Sequence, residues 1–297
     1  MSLGETMLID KTIFTLFKEG SRTYFYSSIF FPTTIRKDVF ILYAFVRKAD
    51  NYVDSVPQNV QGFYDFKERF NRSWQGEDTD DIVVDSFVYL AKEKKFEKEW
   101  IDAFLASMEM DITKKIYDTM DETLKYIYGS AEVIGLMMAR VLGLVDRSFE
   151  HAKYLGRAMQ YINFIRDIDE DNKLGRRYFP TEELEKYGLS SLSYNVVKDH
   201  PERFTDFMHA QLELYCGWQE WAEHGYGFIP RRYLIPIKTA SEMYKWTGYQ
   251  IYKNPFLVFK YKVKPMISQI LSKTLINMVE IMVRKDQQAK CQIHESK

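Results

Sequence analysis

Along most of the chain, apolar residues recur every three or four positions, the period of a helix with one buried face, and β-branched runs bounded by turns are scarce. Residues 8–18 predict a first helix with Asp10 as its N-cap, ended by Gly20. A second, aromatic helical turn follows Ser21 and closes at Pro32. A long helix then starts at Thr33 or Thr34 and ends before Pro57. Residues 62–75, 82–95 and 97–113 predict three more helices, the first two separated by the acidic loop 75–81. Between Tyr126 and Met138, small residues (Gly129, Ser130, Ala131, Gly135) interrupt an apolar helical pattern in which Tyr126, Ser130, Val133 and Met137 share a face. Those small residues suit either close helix–helix packing or the approach of a bulky ligand. After residues 160–171, a short helix begins near Thr181 and stops at Gly188. Helices 201–224, 231–252 and 264–285 close the chain, with a frayed polar tail over 286–297. In helix 201–224 the stripe Phe204, Phe207, Tyr215, Trp218 and Trp221 reads as core. The expected fold is all-α: a single-domain helical bundle over 1–297 around a central apolar cavity.

Composition sharpens this picture only in places. A chain of 297 residues, 46% hydrophobic with 21 Phe and 21 Tyr, can bury a large core and is not disordered. A net charge of −1 offers no attraction for nucleic acid. Two cysteines, Cys216 and Cys291, lie far apart without a CxxC motif, and the five histidines form no zinc-type spacing, so any metal should be a hard, carboxylate-bound ion. Neither a signal peptide nor an 18-residue apolar run occurs, which predicts a cytoplasmic protein.

The chemistry concentrates in Gln160 to Pro180. On a helix, Gln160, Asn163, Asp167 and Asp171 fall within about 80° of one another, with Arg166 beside them. Leu155, Ile162 and Ile165 gather on the opposite side. Arg176, Arg177 and Tyr178 follow. Carboxylates one turn apart can hold a divalent cation, and guanidinium groups favour phosphate oxygens, so the stretch describes a pocket for a magnesium-bound diphosphate. One acidic pair proves little: with 42 acids, chance alone supplies roughly six pairs at i,i+4. Asp81 with Asp85 and Asp118 with Glu122 are read as such surface pairs. Upstream, however, Phe40, Tyr43, Arg47, Asp50 and Asp54 also share one helical face. Two helices, each with a carboxylate pair and an arginine, could face each other across one cavity. Ser21, Arg22 and Thr23 could bind an anion at a helix entry or merely cap it. Asp111 could face the cavity or form a local hydrogen bond.

These segments resemble the squalene/phytoene synthase family, whose members join two prenyl diphosphates head to head. The resemblance runs from Ser21 to about Lys264 and rests on Ser21-Arg22-Thr23-Tyr24, Arg47-Lys48-Ala49-Asp50 through Asp54, Met110-Asp111, Tyr126 to Gly135, Gln160-x-x-Asn163-x-x-Arg166-Asp167-x-x-Glu170-Asp171, and Gly175 to Pro180. It implies that Asp50, Asp54, Asp167 and Asp171 coordinate Mg²⁺, or Mn²⁺ in its place, shared with two diphosphates. Ser21, Thr23, Arg47, Gln160, Asn163, Arg166, Arg176, Tyr178 and Tyr244 would hold diphosphate oxygens or the metal shell. Tyr126 would line the cationic centre. A cyclopropylcarbinyl diphosphate would form first and then rearrange in the same cavity.

Four residues depart from the pattern: Asn51 follows Asp50 where many members have a second Asp, although the i,i+4 pair survives; Ser130 and Glu132 alter one wall; and Lys262 stands near where an arginine is common. With no GxGxxG fingerprint, NADPH is not expected as a reductant, which favours proton loss and thus phytoene or dehydrosqualene. Ser27 and Ser28 favour C20 substrates and phytoene, whereas Phe40 on the cavity face favours C15 substrates and squalene-type products. A lipophilic product also suggests peripheral contact with a membrane. A head-to-tail elongase or a terpene cyclase would need acidic motifs absent here; a non-catalytic helical scaffold would leave both carboxylate pairs in solvent.

Overall fold

In a computed structural model, residues 9–294 are described. The helices run α1 Lys11–Gly20, α2 Arg22–Ser28, α3 Thr33–Asp54, α4 Val60–Gln75, α5 Ile82–Glu93, α6 Lys98–Thr113, α7 Met120–Ile127 and α8 Val133–Val141. They continue with α9 Phe149–Arg166, α10 Ile168–Lys173, α11 Thr181–Lys186, α12 Tyr194–Val197, α13 Pro201–Glu223, α14 Arg231–Lys253 and α15 Ile267–His294. Among the described residues the only β-type pairing is an isolated bridge between Ile116 and Arg177.

Local chemistry accounts for most boundaries. Asp10 accepts from the Thr12 N–H to cap α1, Ser21 caps α2, and Asp81 caps α5 by accepting from Val83 and Val84. Gly76 closes α4 with a φ of 101°. The last helix runs on to His294 rather than ending near Lys285.

Two apolar clusters hold the bundle together. One is built largely from α1 to α6 and centres on Phe45, which stacks on Phe87 with centroids 3.7 Å apart and is ringed by Phe66, Phe70 and Phe104. Each such fully buried phenylalanine contributes about 1.5–3 kcal/mol. The other cluster joins α7, α9, α13 and α14. Phe204, Phe207 and Tyr215 are buried in it as the stripe predicts, but Trp221 is 48% exposed, because Gln219 and Ala222 fill the inward side of the last turn of α13 and leave Trp221 beside His151.

The pattern between Tyr126 and Met138 folds differently from a plain helix. Tyr128–Glu132 forms one π-helical turn between α7 and α8. A π turn inserts an extra residue and rotates everything after it by about 100°. Tyr126 and Ser130 therefore face the central cavity, but Ile134 and Met138 follow them there, while Val133 and Met137 enter the core. The glycines serve close packing. A Cβ on Gly135 would sit 2.2 Å from the Ala152 carbonyl oxygen of α9, and one on Gly156 would sit 2.3 Å from that of Ala131. Gly135→Val should lower stability by about 2–3 kcal/mol, because backbone rather than a flexible side chain must yield; chemical denaturation measures this.

Candidate active site

Between the two clusters lies a cavity of about 720 Å³, and every residue to which the family resemblance gave a role at the site lines it. α3 supplies Arg47, Asp50 and Asp54. α9 and α10 supply Gln160, Asn163, Arg166, Asp167 and Asp171, followed by Arg176 and Tyr178. Ser21 and Thr23 enter from the start of α2, Tyr126 from α7 and Tyr244 from α14. The anion and capping readings of Ser21 are compatible, since its hydroxyl accepts from the Tyr24 N–H at 3.3 Å while the residue lines the cavity.

The segment carrying Asp167 and Asp171 is not one uninterrupted helix. α9 ends at Arg166, and Asp167 takes φ −101°, ψ 14°. The hydrogen-bond register nevertheless carries through, from Asp167 N to Asn163 O (2.8 Å) and from Asp171 N to Asp167 O (2.9 Å). Asn163, Asp167 and Asp171 thus keep a common side. Leu155, expected opposite, also lines the cavity, while Ile162 and Ile165 are buried behind it. The cavity runs the length of α9, so its wall is broader than the polar stripe alone. Phe40 is absent from the lining: it packs in the core against Phe17 (4.7 Å) and Phe25 (5.7 Å), because α1 and α2 cover that turn of α3.

Arginines tie the two acidic segments together. Arg47 pairs with Asp50 one turn away. Arg166 grips Asp167 through two hydrogen bonds of 2.7 and 2.5 Å. Arg176, only 5% exposed, reaches across to α3, where it donates to Asp54 at 2.6 Å and to the Val53 carbonyl at 2.5 Å. Arg177 turns elsewhere and donates to the Thr181 hydroxyl, which removes it from the diphosphate pocket. Asp81, Asp85, Asp118 and Glu122 lie outside this cavity and serve caps and ion pairs.

Several lining residues were not assigned from the sequence. Asp111, left open there, is buried at the base of the site and accepts from the hydroxyls of Tyr126 and Tyr178, each at 2.7 Å. The available signals were a lone acid at the end of an apolar helix and the place of Met110-Asp111 in the family resemblance. Tyr24 donates to the Met159 sulfur at 2.8 Å and lies beside Tyr244. Lys262 stands 3.3 Å from Asp167 and also pairs with Glu170; Lys264 joins it at the rim. Of the departures, Ser130 lines the cavity with its hydroxyl unpartnered, and Glu132 is buried against Arg157 at 2.7 Å.

The site is short of positive charge. Its lining holds Glu19, Asp50, Asp54, Asp111, Asp167, Glu170 and Asp171 against Arg47, Arg166, Arg176, Lys262 and Lys264. Burial, and then the Asp54 carboxylate, pushes Asp50 up to about 7. Burial pushes Asp111 up to about 6, and burial with the Asp167 charge lifts Asp171 well above the usual range. Burial acts on Asp167 in the same direction, but Arg166 and Lys262 outweigh it and hold that carboxyl low. Burial, then the Arg166 charge, pushes Lys264 down to about 8. Besides Ser130, three residues lining the cavity bury an atom without a partner: Asn163 its Oδ1, an oxygen suited to a cation, Arg176 its Nε–H, suited to a phosphate, and Tyr226 its hydroxyl. Among the described residues no three acids, histidines or cysteines converge closely enough to hold a metal by themselves. Paired carboxylates that leave coordination positions for phosphate oxygens fit a hard cation such as Mg²⁺, which is commonly held by one or two carboxylates plus a substrate phosphate.

Residues 17–268 match the family described as squalene/phytoene synthase. The chain belongs to that family. Similar curated relatives include a 15-cis-phytoene synthase of Paracoccus sp., 29% identical over 251 residues and covering 80% of both chains. Another, from Pantoea ananas, is 26% identical over 246 residues, covering 78% of this chain and 79% of the relative. A 4,4'-diapophytoene synthase of Staphylococcus haemolyticus is 26% identical, covering 83% and 95%. A crystal structure of a dehydrosqualene synthase with a ligand superposes with a TM-score of 0.80 at 18% identity, covering 91% of this chain and 95% of that one. A squalene synthase from Alicyclobacillus acidocaldarius gives 0.74 at 20% identity, covering 83% and 94%. These matches place the squalene/phytoene synthase fold around the cavity and make the protein a prenyl-transferring enzyme of that type.

Proposed function

We propose that this member of the family joins two geranylgeranyl diphosphates head to head to form phytoene by way of a cyclopropylcarbinyl diphosphate. The observation that carries the reading is the convergence of Asp50/Asp54 and Asp167/Asp171, from segments far apart in the chain, on the polar end of one largely apolar cavity. Bound Mg²⁺ would neutralise the diphosphate leaving groups. Asp50, Asp54, Asp167 and Asp171, with Asn163 beside them, would hold it. Arg47, Arg166 and Arg176 orient the diphosphate oxygens, assisted by Ser21, Thr23, Gln160, Tyr178 and Tyr244.

Cleavage of the C1–O bond of one substrate leaves its electron pair on diphosphate and an allylic cation in the cavity. The double bond of the second substrate attacks that cation, and loss of a proton closes the cyclopropane. Breaking the second C–O bond permits rearrangement to the 1–1′ linkage, and loss of another proton leaves a neutral polyene. Ile134, Met138, Leu155 and Met159 keep water from capturing the cations. Tyr126, anchored on Asp111, presents a ring face that can stabilise positive charge.

Ser27 and Ser28 are buried in the wall, which supports C20 chains, and the opposing argument from Phe40 falls because that ring is in the core. Phe17 and Phe31 in the same wall favour the second reading, condensation of C15 diphosphates to a squalene-type product. Mass analysis after incubation with Mg²⁺ and each diphosphate, with and without NADPH, decides between them. A C40 product without NADPH is expected; exclusive C30 formation would overturn the chain-length assignment. Ser28→Phe should shift the kcat/KM ratio towards the C15 substrate by about tenfold or more, because the new ring occupies tail space.

A further inference from the structure

α15 buries Ile270 together with two polar side chains and leaves an apolar stripe on its outer side. Thr274 and Asn277 face inward and are fully buried; the Asn277 amide donates to the Thr239 hydroxyl at 3.1 Å and to Glu242 at 2.7 Å. Leu271, Leu275, Ile276, Val279 and Val283 face outward and are 38–60% exposed. Ser272 is exposed among them, but five large aliphatic side chains on the outer side of one helix mark an interaction surface. No helix among the described residues is long and apolar enough to cross a membrane, so this face could only lie along one.

We infer that the outward face of α15 docks the protein on an anionic lipid bilayer. Its position connects it to the cavity at two places. The chain leading into it carries Lys262 and Lys264 on the cavity rim, and α15 packs against α2, whose Ser27 and Ser28 form part of the cavity wall. The lead-in also exposes Lys260, Tyr261, Lys264 and Met266, a mixture of cationic, aromatic and apolar groups suited to the headgroup boundary. The exposed Lys260 and Lys264 at the start of the stripe complement anionic headgroups.

The test is flotation of the full chain with vesicles, either of phosphatidylcholine alone or with about one-third phosphatidylglycerol. Binding to the anionic vesicles, weakened by salt, is expected. The double variant Leu275→Glu/Val279→Glu should reduce that binding on the order of tenfold or more with circular dichroism unchanged, since both side chains already face solvent. The inference is overturned if the wild type fails to float with anionic vesicles, or if the double variant floats equally well. It is also overturned if sedimentation shows a wild-type dimer that this variant dissociates while vesicle binding is absent, which would give the face to a second copy. Flotation needs no turnover, so its outcome is independent of the proposed chemistry.

Discussion

Asp50→Asn is expected to lose turnover by about 10³-fold while leaving the apo-protein as stable as the wild type or more so, whereas Asp167→Asn should lose turnover comparably and destabilise the fold. The asymmetry comes from the neighbours. Burial and Asp54 raise the Asp50 carboxyl to about 7 despite its pairing with Arg47, so ionising it opposes folding. That opposition is absent below the unfolded pKa of about 4 and grows as pH rises through 7. An amide removes the penalty. Asp167 has the reverse sign: it is held low by Arg166, so its contribution is present at neutral pH and fades as pH falls through its folded pKa. Replacing it strands a guanidinium that is gripped through two hydrogen bonds, a loss of about 1–3 kcal/mol. Thermal unfolding in chelator at pH 8, alongside steady-state kinetics with Mg²⁺, separates the two. Equal activity in either variant would remove the carboxylates from the proposed chemistry.

Arg176→Met should damage both catalysis and folding. Arg176 is the cation that spans the two acidic segments, bonded to Asp54 and to the Val53 carbonyl, with the Tyr178 hydroxyl 3.5 Å away. Without it, Asp54, Asp111 and Asp171 repel one another at the base of the cavity, and the Val53 carbonyl loses its partner. A loss of about 3 kcal/mol or more is expected, larger than for an exposed ion pair because the guanidinium is nearly inaccessible. High Mg²⁺ should recover part of the stability but not the turnover, since a cation can screen the carboxylates without rebuilding the Arg176 contacts. A denaturant titration with and without Mg²⁺ reads this directly.

Much of this enzyme was legible in its sequence, for identifiable reasons. The periodicity of α3 and α9 places Asp50 with Asp54, and Asp167 with Asp171, because a helix carries residues four apart on one side. Caps such as Asp10 and terminators such as Gly188, which takes φ 62° just past α11, act within a few residues and can be read locally. The misreadings arose where distant contacts decide. Phe40 shares a helical face with Asp54, yet α1 and α2 cover its end of that face. Val133 and Met137 leave the cavity side because a π turn, favoured by tight packing against α6 and α9, shifts the register between two segments that look continuous. Trp221 belongs by pattern to a core stripe but ends in partial exposure.

By itself the chain specified its helices, the two acidic pairs and their arginines, and its membership of one family, since all of these depend on spacing within short windows. Tertiary structure alone decided that Arg176 bridges to Asp54 and that Asp111 anchors Tyr126 and Tyr178. It also decided that α15 buries Thr274 and Asn277 and leaves an apolar stripe outside. Those outcomes depend on which surfaces meet after folding, and desolvation and charge at such meetings are set by partners many residues away.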